Sequence, residues 1–157
     1  MKTKLEKNFT WLFFFILLLG SLAANVTVNQ TFGYFGEPAE EAIAWSEGMK
    51  GLQMSIVFLR CLGVFAFFGS LLLFIVYSVH SIREGVLFPR KNIALLYVCV
   101  LASFIYFFCN DNLHIVTQAE RSFRITFEAL VVPSLILVFA FLYKAAVQIN
   151  EENSLTI

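Results

Sequence analysis

The chain has 157 residues, 59% hydrophobic and 14% charged, with nineteen Phe and a formal net charge of zero. An ordinary soluble domain is about 45–50% apolar and about 25% charged. A soluble chain of this size leaves about a third of its unfolded-chain surface facing water, so the apolar excess needs lipid or a partner to cover it. The charge balance gives no reason to propose a nucleic-acid partner or a polybasic membrane-surface patch.

Residues 1–24 read as a signal peptide. Lys2, Lys4 and Lys7 form a basic start, Trp11 to Leu19 an apolar stretch, and Ser21 to Ala24 a small-residue exit with cleavage after Ala23 or Ala24. Left uncleaved, the same stretch would be an anchor, although it is short for a full span. Residues 25–51 form a short exported polar segment, broken by Gly33, Gly36 and Pro38, with an acidic patch at Glu37, Glu40 and Glu41. One or two helical turns are expected between Ala39 and Met49. Asn25 and Asn29 each open an Asn-x-Thr triplet, a glycosylation acceptor only in a host that glycosylates.

Residues 52–146 form the transmembrane domain, with spans at about 54–79, 93–109 and 125–143. Each is long enough to cross ~30 Å of hydrocarbon at 1.5 Å per residue, and without water to satisfy its backbone each must be helical. Pro133 should kink or loosen the third span. The expected fold is therefore all-α: an integral membrane bundle of three transmembrane helices after a signal peptide, or four if it persists. Arg83, Arg90 and Lys91 between the first two spans, and Lys144 at the start of the tail, place that loop and residues 147–157 in the cytoplasm. The mature N-terminus and the loop from Asn110 to Phe123 then lie outside.

Cys61, Cys99 and Cys109 are odd in number and lie in or at the end of apolar runs, which argues against a disulfide framework. His80 and His114 are too far apart to suggest a metal site by spacing. Arg60 and Glu128 are ionisable groups inside apolar spans, where such groups are costly and usually find a partner. Two arrangements are open: an Arg60–Glu128 pair facing the bundle interior, or Arg60 snorkelling to the outer interface with Glu128 in the external headgroup zone, which their depth nearer the surface than the midplane favours. Arg124, four residues before Glu128, shares its helix face.

The segment from Phe123 to Ile136 resembles the third helix of microbial rhodopsins of the proteorhodopsin type. It has a Phe-Arg start at Arg124, an acid one turn on at Glu128, and Pro133 nine residues after the Arg, followed by Leu135 and Ile136. The resemblance extends loosely over residues 52–143. Phe127 stands where that family places its acidic counterion, and Glu128 where it places a Trp. Retinal is implied only together with further helices, since the family's retinal lysine lies in a seventh.

Nucleophile, zinc and phosphate-loop motifs are absent, so an enzyme is not expected, and neither is a cofactor. His114 with Asp111 and Glu120 could handle protons, because histidine changes charge near neutral pH, but such a group is more often a solvated loop. Ser70, Ser103 and Ser134, with Gly63 and Gly69, suit close helix packing. The expected function is that of a small non-enzymatic multi-pass membrane protein, a subunit of or partner in a larger membrane assembly. Its partners would be lipid and other transmembrane helices or a homo-oligomer. The alternative is a truncated or degenerate rhodopsin-like ion-transport or photoreceptor protein.

Overall fold

A computed structural model describes residues 2–32 and 43–155. They form four long helices, α1 (Lys2–Phe32), α2 (Lys50–Arg83), α3 (Lys91–Asp111) and α5 (Phe127–Leu155), with the single turn α4 (His114–Thr117) before the last. No strand occurs among the described residues. The four long helices are each long and apolar enough to cross a membrane. The acidic patch at Glu37, Glu40 and Glu41 lies outside the described residues.

Successive long helices run antiparallel. Glu6 early in α1 meets Arg83 at the end of α2 at 3.6 Å, and Asn92 early in α3 reaches Phe74 and Ser78 late in α2. The ring pair Tyr97–Phe141 sets α3 against α5, and Phe108–Phe123 sets the end of α3 against the connection before α5. One end of the bundle thus gathers the start of α1, the α2–α3 connection and the second half of α5; it is called here the basic end. The far end gathers residues 43–53 and 109–127.

Local chemistry fixes the helix boundaries. α2 stops at Gly85, whose φ of 89° is the left-handed conformation that favours glycine. The Val86 N–H then reaches back to the Ser81 carbonyl at 2.8 Å, the six-to-one bond of a Schellman cap. Before α5, the Asp111 carboxylate accepts the Thr126 N–H at 2.7 Å. Pro133 lies inside α5 and withholds a donor from the Ala129 carbonyl. One residue on, the Ser134 hydroxyl donates to the Leu130 carbonyl.

Several helices outrun the apolar stretches that announce them. α1 continues through Asn25 to Phe32, where a polar segment was expected, because no Gly or Pro interrupts it between Gly20 and Gly33. α5 runs to Leu155, through most of the expected tail, since Lys144 to Glu152 again holds no breaker. Residues 43–49 are coil and turn rather than helix.

Helices α2 and α3 pack closely at Gly63, where a Cβ would meet the Ala102 carbonyl and Tyr106 at 3.1 Å. Gly20 plays the same part for α1, a Cβ there meeting the Phe68 ring at 3.0 Å. Two apolar clusters close the ends: Ile56, Val57, Cys109, Ile115 and Val116 at the far end, and Leu96, Ala140, Tyr143 and Val147 at the basic end.

Candidate functional site

The far end carries the densest polar chemistry. Gln53 and Arg60 are seven residues apart, two helical turns, and so share the face of α2 that turns to α3. Gln53 is fully buried. Its amide donates to the carbonyls of Ala44 (2.7 Å) and Ile115 (3.1 Å) and accepts the Ser46 N–H at 3.2 Å. One side chain therefore ties the chain before α2 to α4.

Arg60 is 1% exposed, and its Nη2 donates to Asn110 Oδ1 at 3.1 Å. Of the two arrangements open for Arg60, the pair with Glu128 is not the one found: the contact is to Asn110. α2 packs on α3, and the guanidinium meets the end of α3. α5 begins at Phe127, so Glu128 falls in its exposed first turn, where an acid complements the positive end of the helix dipole. Arg124 precedes α5 and pairs with Glu120 at 3.2 Å, both side chains largely exposed, an arrangement of little energetic weight.

Asn112 locks the same end. Its Nδ2 donates to the carbonyls of Phe108 and Arg124 at 2.7 and 2.8 Å, and its Oδ1 accepts the Arg124 N–H at 2.8 Å. His114 lies between two carbonyls, Nδ1 at 3.1 Å from that of Asp111 and Nε2 at 2.7 Å from that of Ser122. The connection reverses at Ala119, which holds φ of 55°, a conformation uncommon for a residue with a Cβ. Around these groups an open polar cleft of about 340 Å³ is lined by Arg60, Asn110, Asp111, His114, Gln118 and Arg124, among others. Its chemistry suits holding a polar loop in place. Among the described residues no group of three His, Cys, Asp or Glu is arranged to hold a metal ion.

Asn25 is exposed and Asn29 half-buried on the last turns of α1, and Pro133 is buried within α5. The basic end has its own polar anchor. Buried Asn92 donates to Ser78 Oγ at 2.8 Å and to the Phe74 carbonyl at 3.2 Å, while Tyr143 donates to the Pro89 carbonyl. Gln53, Asn92, Asn110 and Asn112 were not singled out in the sequence. The available signal was a carboxamide within a turn or so of the margin of each apolar run.

These features define an all-helical, multi-pass membrane protein with interlocked polar ends. The chain matches no protein-family model, no curated protein and no solved structure.

Proposed function

We propose that this protein is a non-enzymatic subunit of a larger membrane assembly, joined to its partners through the outward face of α2. Phe58, Leu62, Phe65, Gly69 and Leu73 recur at intervals of three and four, and the four large side chains are all exposed. At Gly69 a Cβ would meet nothing within 4 Å, so the stripe has a notch between Phe65 and Leu73. In hydrocarbon, where apolar burial gives no drive, helices associate through close packing at such small residues. This notched stripe carries the proposal. Only 6, 28, 33 and 22% of the apolar windows of the four long helices are buried within the chain, which leaves ample surface for partner helices and lipid.

The proposal keeps α1 as a fourth span instead of a removed signal. The Glu6–Arg83 pair, the seat of Gly20 on Phe68, and a helix continuous past Ala24 support that choice. The basic end, with Lys4, Lys7, Arg83, Arg90, Lys91 and Lys144, then faces the cytoplasm, in keeping with the bias of basic residues.

Extraction in mild detergent should yield a discrete species heavier than the single chain. Gly69→Ile should break it while leaving helix content unchanged. A monodisperse lone chain, or an assembly indifferent to Gly69→Ile, would contradict the proposal, and intact mass distinguishes a homo-oligomer from a foreign subunit.

A further inference from the structure

At the basic end, an open cleft of about 550 Å³ lies between α1 and α2, lined from α1 by Phe9, Thr10, Phe13 and Phe14 and from α2 by residues between Ile75 and Arg83. Its lining is graded. Towards mid-bundle it is Phe13, Phe14, Ile75 and Val76; towards the end it is Tyr77, His80 and Arg83. Ile75 to Arg83 spans about 12 Å of helix, the scale of half a hydrocarbon layer. No residue of α3 or α5 lines the cleft, so its open side faces the bilayer.

The mouth is cationic. Arg83 is well exposed, and Lys91 Nζ stands 6.0 Å from the centroid of the Tyr77 ring. Lys4, Lys7, Arg90 and Lys144 lie at the same end. The acids there are Glu6, 3.6 Å from Arg83, and Glu84, 3.2 Å from His80. Glu151 and Glu152 follow Lys144 on α5 by about 10–12 Å, further from the hydrocarbon. Although the whole chain is neutral, this end carries a basic excess.

The geometry points to a binding site for an anionic phospholipid, its acyl chain along Phe13, Phe14 and Val76 and its headgroup phosphate at Arg83. An apolar floor rising to a guanidinium at headgroup depth matches a lipid of net negative charge better than a zwitterionic one. Arginine's planar fork can take a phosphate oxygen while it keeps its contact with Glu6. The site rests on α1 remaining in the mature protein.

The test uses the full chain in detergent, titrated with phosphatidylglycerol or phosphatidylcholine and read by native mass spectrometry. The wild type should prefer phosphatidylglycerol by at least about fivefold, the weight of one basic residue near a membrane surface. Arg83→Gln should abolish that preference, and Glu6→Gln should raise it. Both substitutions break the same ion pair, so opposite effects separate lipid recognition from a structural role. Val76→Trp, at an exposed position in the cleft, should weaken binding of either lipid.

Equal binding of the two lipids by the wild type, parallel shifts in the two charge variants, or displacement of the lipid by inorganic phosphate would overturn the site. So would indifference to Val76→Trp. An intact mass lacking residues 1–24 would overturn it together with α1 as a fourth span, whereas a full-length mass without preference overturns the lipid site alone.

Discussion

Replacing Asn112 with alanine should loosen the far end while sparing the helices. The side chain is 0% exposed and makes three hydrogen bonds of 2.7–2.8 Å, to the Phe108 carbonyl and to both backbone groups of Arg124. At about 1 kcal/mol net for each bond, alanine costs about 3 kcal/mol, less where water reaches the abandoned groups of Arg124 in its exposed loop. For a chain of this length that lowers Tm by about 6–12 °C. Thermal unfolding in detergent, followed by circular dichroism, measures the loss, and tryptic cleavage after Arg121 and Arg124 should accelerate. Asn112→Asp turns two donors into acceptors facing two carbonyls, which disfavours the charged form in the folded state and raises the carboxyl's pKa there. Its stability should be at or below that of the alanine variant near neutral pH and recover as acid protonates the carboxyl, which can then donate. A Tm within about 2 °C of the parent with unchanged proteolysis, a difference below about 0.5–1 kcal/mol, would refute the lock.

Two glycines of α2 should respond oppositely to alanine. Gly63→Ala must push apart backbones already in contact and should cost about 1–3 kcal/mol, whereas Gly69→Ala meets nothing within the chain and, in the dissociated single chain, should be neutral or stabilise it by about 0.5–1 kcal/mol; equal Tm shifts of the single chain would contradict the packing. Gly85→Ala places a Cβ at a φ of 89° and should cost about 1–2 kcal/mol, read as a lower Tm. Added retinal should leave the visible spectrum blank, because Lys2, Lys4, Lys7, Lys50, Lys91 and Lys144 lie towards helix ends or outside the apolar middle of the bundle; a visible band would contradict this.

Hydropathy made the four apolar stretches legible, because lipid demands long unbroken runs and the chain has four. It could not mark where the helices end. α1 continues through Asn25-Val26-Thr27, and α5 through Gln148 to Glu152, because helices stop at backbone signals such as Gly85 and not at the edge of hydrocarbon. Arg60 stood out as an ionisable group inside a span, yet its partner did not, since Glu128 matched by charge and depth while helix adjacency gave the contact to neutral Asn110. Buried carboxamides such as Gln53 and Asn112 carry no charge and no motif, so only their tertiary partners show what they do. The neutral total charge likewise concealed its segregation, which appears once antiparallel packing brings Lys4 and Lys7 to the same end as Arg83, Lys91 and Lys144.

The most direct test is cysteine accessibility in intact cells, in a background where Cys61, Cys99 and Cys109 are replaced by alanine. With single cysteines at Lys4, Leu87, Leu101 or Gln118, a membrane-impermeant maleimide should label Gln118→Cys from outside. It should reach Lys4→Cys and Leu87→Cys only after permeabilisation, and should spare Leu101→Cys throughout. Labelling of Leu87→Cys and Gln118→Cys from the same side, or ready labelling of Leu101→Cys, would contradict antiparallel helices crossing a bilayer.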